Sequence, residues 1–276
     1  MKKHVLPAAL AVVAIVGLMA AFTAFDLPLA TALQGRARGF ARLFEIIGQI
    51  PFALILFAAP MILLFTSRAR NAVARIMLGA VWAALSGLGA FFAVMQTVFN
   101  ISGEDLASVA RYLPLEIALT VLMMAGLALI LRRAGRERLE GARRFAVVGL
   151  LLIILDMVTV EVLKNVFGRT RPRELAEAGN SFGRWFEIHG KTGRKSFPSG
   201  HSAYSFAAIA WSLLWKAKSV GRRNALAAGL LFGALTALSR VLIGAHFPTD
   251  VTMGGVITVS YALILSALFR DTRLQE

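Results

Sequence analysis

Apolar residues in this chain come in long, nearly unbroken runs rather than as stripes along otherwise polar helices. A helix needs about 20 mainly apolar residues to cross the hydrocarbon core of a bilayer. Eight runs approach or exceed that length: Val5–Phe25, Ile50–Thr66, Ala72–Phe99, Leu113–Leu131, Phe145–Leu163, Ala203–Trp215, Ala225–Leu242 and Val251–Phe269. The run from Ala203 is the shortest and nears span length only with His201 and Ser202 added. The pattern predicts an all-α fold, a polytopic transmembrane helical bundle of about eight spans. Gln34–Gln49 behaves differently. Its Phe40, Leu43, Ile46 and Ile47 share one helical face, which predicts a helix lying in the membrane interface. The pairs Gly229-x-x-x-Gly233 and Ser86-x-x-x-Ala90 suit close helix packing.

Composition removes the other classes. With 58% hydrophobic residues, 16% charged and a mean hydropathy of +0.70, a soluble globule would expose large apolar patches, and disorder is excluded. The net charge of +15 would point to nucleic acid in a soluble protein. Here the basic residues cluster in alternate connections, as cytoplasmic loops do, and no nucleic-acid partner is implied. Arg68, Arg70 and Arg75 form one cluster. Arg132, Arg133, Arg136, Arg138, Arg143 and Arg144 form the second, and Lys216, Lys218, Arg222 and Arg223 the third. The connection Asn100–Tyr112 instead carries Glu104, Asp105 and Arg111. Eight spans with both termini inside place all three clusters in the cytoplasm. The first run has no clear Ala-x-Ala site before Asp26, so it is expected to remain as an anchor helix. There is no cysteine, hence no disulfide framework and no thiolate metal site.

Two outer segments depart from the charge rule: Gln34–Gln49 partly, with Arg36, Arg38 and Arg42, and Lys164–Gly200 more strongly, being long, polar and rich in arginine. The latter opens with Lys164-Asn-Val-Phe-Gly-Arg-Thr-Arg171-Pro172. A helix-end charge accounts for one cation there. A phosphate clamp accounts better for Lys164, Arg169, Arg171 and Arg173 together, since arginine offers a planar fork to two phosphate oxygens. A second cluster, Phe197-Pro198-Ser199-Gly200-His201-Ser202, precedes the sixth run. It reads as an ordinary capped turn, or as an anion site at a helix N-terminus with His201 beside it to move a proton. The third is Ser239-Arg240-Val-Leu-Ile-Gly-Ala-His246-Phe-Pro-Thr-Asp250. Its Asp250 stands four residues past His246, where a carboxylate can fix an imidazole tautomer and leave a nucleophile toward phosphorus. Alternating spans bring all three clusters to the same outer face. They hold too few carboxylates for a magnesium site, and neither a metal nor a cofactor is expected.

In order and spacing these clusters resemble the tripartite signature of the phosphatidic acid phosphatase type 2 superfamily. The matching positions are Lys164-x6-Arg171-Pro172, Pro198-Ser199-Gly200-His201 and Ser239-Arg240-x5-His246-x3-Asp250. The resemblance implies a metal-independent phosphatase acting on lipids. By it His246 is the nucleophile, Asp250 orients it, and His201 protonates the leaving oxygen and then helps water attack the phosphohistidine. Lys164, Arg171, Ser199, Gly200 and Arg240 hold the phosphate oxygens. Typical bacterial members have six spans, three before the first motif, whereas five runs precede it here, so one extra helix pair is expected.

The resulting expectation is an N-terminal set of membrane helices, residues 1–144, joined to a catalytic membrane core, residues 145–276. The expected function is hydrolysis of a lipid phosphate monoester or diphosphate at the periplasmic face of a bacterial inner membrane. Lipid A, undecaprenyl diphosphate, phosphatidylglycerophosphate and phosphatidic acid all fit, and neither the substrate nor the oligomeric state is readable from the residues. The alternative is an anion or lipid transporter using the same basic cluster, although binding alone does not require two histidines and an aspartate at fixed spacing. Glu161, one turn from Lys164, is expected to pair with it, whereas Asp156 lies deeper without an assigned role. Phe182, Trp185, Phe186, His189 and Lys191 in the long outer loop are placed to meet a lipid headgroup.

Overall fold

The structure is a computed structural model that describes residues 2–68, 71–102 and 106–269. Arg70, Glu104 and Asp105 of the loop-charge argument lie outside the described residues. Among the described residues every regular element is helical: α1 (Lys2–Leu33), α2 (Arg38–Ile47), α3 (Ile50–Phe65), α4 (Ala72–Ile101), α5 (Leu106–Ala134), α6 (Arg136–Phe167), α7 (Gly200–Phe206), α8 (Val220–Leu242) and α9 (Pro248–Leu268). Short 3₁₀ helices add Pro172–Glu174 and Ala207–Leu214.

Seven of these stretches are long and apolar enough to cross a membrane. The expected sixth span is α7 continued by the 3₁₀ helix Ala207–Leu214. A 3₁₀ helix rises about 2.0 Å per residue against about 1.5 Å for an α-helix, so the composite reaches about 26 Å, close to the ~30 Å hydrocarbon core. Tighter winding thus extends a run that would be too short as a pure α-helix.

The inner layer is built from α3, α6, the α7 composite and α9. Phe52 and Ile55 of α3, Phe145, Leu152 and Ile153 of α6, Ile209 and Leu213 of the 3₁₀ stretch, and Leu265 of α9 share one core. The α4–α5 hairpin packs outside α3, with many apolar side chains of α5, including Leu115, Val121 and Leu122, turned outward. In a bilayer such side chains meet lipid tails as apolar as themselves, so helix association rests on close contact rather than on burial. Small residues provide that contact. Ser86 donates to the Phe57 carbonyl at 2.7 Å, and Ala90 is fully buried. Gly229 faces the backbone of Ala208 and Ile209, and Gly233 faces the Phe206 ring.

The end of the bundle away from the signature motifs collects the described basic loops. Arg68 pairs with Glu140 at 3.1 Å, Arg143 donates to the Thr66 carbonyl at 2.9 Å, and Arg144 donates to the Ser266 carbonyl at 3.0 Å. At the other end α2 forms as the pattern predicts, but its inward face carries Ala41, Phe44 and Glu45, with Leu43 exposed. Asp26, read as the residue that ends the first run, is instead inside α1, which continues to Leu33. Its charge is matched by a buried arginine, so the helix need not stop there.

A Cβ on Gly89 would stand 2.4 Å from the Phe57 backbone nitrogen, whereas nothing lies within 4 Å of one on Gly87. Gly89→Ala should force α3 and α4 apart and cost about 1–3 kcal/mol, the usual range for overpacking. Thermal unfolding in detergent should show a lowered Tm for Gly89→Ala and little change for Gly87→Ala.

Candidate active site

Each signature motif sits where a helix begins or ends at one end of the bundle. Lys164 lies in the last turn of α6, which Gly168 closes with φ 51°. A Cβ there would come 2.2 Å from the Gly190 carbonyl oxygen, so the tight exit toward Arg169 and Arg171 requires glycine. Ser199 is the N-cap of α7, its hydroxyl accepting from the Ser202 amide at 3.3 Å. Arg240 occupies the last turn of α8, and the chain then turns through Gly244 to His246 before α9 starts at Pro248.

These ends surround a cavity of about 610 Å³ lined by Lys164, Arg171, Gly200, His201, Arg240 and His246, together with Arg173. Six sequence-predicted site residues therefore converge. The other two stand behind the wall: Ser199 and Asp250 are both fully buried. Gly200 is small for a local reason, since a Cβ there would approach Lys164 Nζ to 3.1 Å.

His246 is oriented by backbone. Its Nδ1 lies 2.7 Å from the Ser196 carbonyl, so Nδ1 carries the proton and Nε2 keeps its lone pair. Asp250 Oδ2 is farther from Nδ1, at 3.7 Å. That oxygen accepts from the Ser196 hydroxyl at 2.6 Å and the Phe247 amide at 2.8 Å. Asp250 thus fixes the two segments that flank the imidazole. Burial pushes the His246 ring down to about 4, aided by Arg171 and Arg240 and opposed by Asp250.

Behind Asp250 lies a fully buried chain of charges. Arg169 donates to Asp250 Oδ1 at 2.5 Å, to Asp26 Oδ2 at 2.8 Å, to Thr249 Oγ1 at 2.9 Å and to the Gly183 carbonyl at 2.8 Å. Its guanidinium also lies 4.1 Å from the centre of the Phe247 ring. Asp26 accepts in addition from the amide of Thr249 at 2.9 Å and from its hydroxyl. A second pair stands behind the cationic side of the cavity. Arg240 donates to Glu45 Oε1 at 3.0 Å, and Arg42 holds the other oxygen at 2.6 Å. The Gln49 amide donates to His201 Nε2 at 2.8 Å.

The family comparison agrees with this geometry. Residues 145–273 match the family model of the PAP2 superfamily. Among curated proteins the chain is similar to "Probable lipid phosphate phosphatase 4" of Arabidopsis thaliana, 34% identical over 133 residues, 38% of this chain and 41% of that protein. It is also similar to "Lipid A 1-phosphatase" of Rhizobium johnstonii, 30% identical over 119 residues, 42% of this chain and 45% of that protein. The chain thus spans less than half the length of the curated relatives it matches. No solved structure matches it.

Four site neighbours, Asp26, Glu45, Gln49 and Asn100, lie outside the PAP2 segment. None was singled out from the sequence for the site. Glu45 carried a signal all the same, as the one acidic residue of an amphipathic helix that otherwise offers arginines. Other expectations shift. Glu161 pairs with Lys195 at 2.5 Å rather than with Lys164, because Lys164 turns into the cavity. Asp156 accepts from the Thr258 hydroxyl at 2.9 Å inside the bundle. None of the five loop residues placed at the headgroup lines the cavity. Phe182 packs on Phe247, and Trp185 packs on Phe197 and donates to Thr23 of α1 at 2.8 Å. The aromatic loop thus anchors the PAP2 segment to α1.

Arg169→Met should leave Asp26 and Asp250 buried without their cation, a loss that typically costs about 3–5 kcal/mol. Thermal unfolding in detergent should show a large fall in Tm for Arg169→Met and a smaller one for Asp26→Asn, which keeps the Arg169–Asp250 contact.

Proposed function

We propose that the chain is an integral membrane phosphatase that removes phosphate from a lipid monoester or diphosphate through a phosphohistidine on His246. The carrying observation is the cavity in which two motif imidazoles meet four cations drawn from three segments: the end of α6, the loop after it and the end of α8. Lys164, Arg171 and Arg240 supply the fixed positive charge that phosphoryl transfer needs at its equatorial oxygens. Gly200, at the cavity wall, completes the cradle, and the buried Ser199 caps the start of α7 behind it.

His246 Nε2 attacks phosphorus while the proton on Nδ1 stays hydrogen-bonded to the Ser196 carbonyl. The bond from phosphorus to the lipid oxygen breaks, and His201, entering the step as the imidazolium, gives that oxygen a proton and becomes neutral. Neutral His201 then takes a proton from water. The water oxygen attacks phosphorus, the P–N bond breaks and inorganic phosphate leaves. A transporter would need the cations but has no use for an imidazole held in a single tautomer. The charge of the described basic loops at the opposite end supports a periplasmic site in a bacterial inner membrane. In this reading residues 145–276 carry the chemistry, and residues 1–144 buttress it. Lipid A, undecaprenyl diphosphate, phosphatidylglycerophosphate and phosphatidic acid are the substrates to test.

Phosphate release by the purified protein in detergent tests the reading. Turnover should persist in EDTA and be inhibited by orthovanadate. His246→Ala should abolish it, and His201→Ala should leave a trace, since losing a general acid costs roughly 10²–10⁴-fold. Arg171→Lys keeps the charge but loses the fork, and should cost about tenfold or more. Arg138→Lys, at the opposite end, should do almost nothing. Near-normal turnover by His246→Ala would overturn the proposal.

The pH profile gives a separate check. Burial lowers the His246 pKa, so its neutral, attacking form persists as pH falls below the ordinary 6.5 and is lost near about 4. The acidic limb of kcat/KM should therefore lie well below pH 6.5.

A further inference from the structure

The cavity is chemically two-sided. Its cations and imidazoles occupy one end, and the rest of its wall comes largely from α4, outside the PAP2 segment. Leu88, Phe91, Phe92, Met95 and Phe99 recur at spacings of three and four and so form one stripe along that helix. From Asn100 to Leu88 the stripe descends about 18 Å at an α-helical rise, more than half of a hydrocarbon core. Met157 of α6 faces it from the other side and is itself 46% exposed. The stripe is open toward lipid at Leu88, while Phe91, Phe92, Met95 and Phe99 are half-buried against the cavity.

Its position is fixed at both ends. Gly89 and Ser86 seat α4 against the α3 backbone near Phe57. At the outer end Asn100 donates to the Glu45 carbonyl at 3.3 Å, and Arg42 donates to the Asn100 carbonyl. Glu45 in turn holds Arg240, so the apolar wall is tied to the phosphate clamp.

We propose that the α4 stripe is a binding site for an acyl chain of the lipid whose phosphate enters the cationic end. This deepens the phosphatase reading and rests on it. Continuity of one cavity from cations to an apolar stripe calls for an amphipathic ligand. Gln96 decides between chain types. It lines the same cavity one turn below Asn100, where an acyl ester presents a carbonyl oxygen and a polyprenyl phosphate presents only hydrocarbon. α4 therefore acts as a specificity element: its stripe reads the chain, and Gln96 reads its ester.

The test uses the full chain in detergent and compares kcat/KM on dihexanoyl phosphatidic acid, dioleoyl phosphatidic acid and farnesyl diphosphate. Leu88 is 60% exposed, so Leu88→Trp fills the lower groove without disturbing the bundle. A hydrophobic pocket discriminates by roughly tenfold or more per group, so Leu88→Trp should cut dioleoyl turnover that much and spare dihexanoyl turnover. Gln96→Leu should slow both phosphatidic acids and spare farnesyl diphosphate. Should Leu88→Trp leave the dioleoyl-to-dihexanoyl ratio unchanged, or Gln96→Leu slow all three substrates alike, the acyl site is overturned while the phosphatase reading stands. An inactive wild type on all three substrates would likewise overturn the acyl site as proposed, whereas the phosphatase reading falls only if lipid A and phosphatidylglycerophosphate release no phosphate either.

Discussion

The buried contact of Arg169 with Asp26 and Asp250 is the constraint on which the active end depends. Its three charges come from α1, from the loop after α6 and from the first turn of α9. None of them touches solvent, so none can be satisfied by water if a neighbour moves. Taking one partner away leaves a charge in a medium of low polarity, which is far costlier than the pair is stabilising. The three segments are held together by this penalty. Ser196 and Phe247 then hang on Asp250, and the His246 ring hangs on Ser196.

The phosphate side follows a second rule. Lys164, Arg171, Arg173 and Arg240 share one cavity and repel one another across it. Glu45 partly neutralises Arg240, and Glu174 lies 3.8 Å from Arg171. The cavity keeps a positive excess that an entering phosphate can satisfy. The carboxylates keep that excess from forcing the helices apart. Cavity-facing charge and structural charge are thereby separated: the cations face the cavity, and their counterions stand behind or beside them.

The membrane adds a length constraint. α6, α8 and α9 are ordinary helices of spanning length, but the segment between the second motif and the basic loop before α8 has only Gly200–Leu214 available. Winding its second half as a 3₁₀ helix recovers the missing length. Gly229 and Gly233 of α8 admit Ala208, Ile209 and Phe206 of that segment at close range. The short span is thus held by shape rather than by a long apolar face.

The all-helical bundle was legible in the sequence because a bilayer demands long apolar runs whatever the tertiary arrangement. The convergence of Lys164, His201, Arg240 and His246 was legible too, since alternating spans send those three helix ends to one side. Pairing was not legible. Asp26 reads as the polar end of an apolar run, and only the folded chain shows Arg169 beside it, 143 positions away. Glu45 and Arg240 are 195 positions apart, and nothing local to either announces the other. Sequence pattern reports which face of a helix avoids water. It does not report which neighbour that face meets, so the partners of buried charges and the wall that α4 gives the cavity were decided by tertiary packing alone.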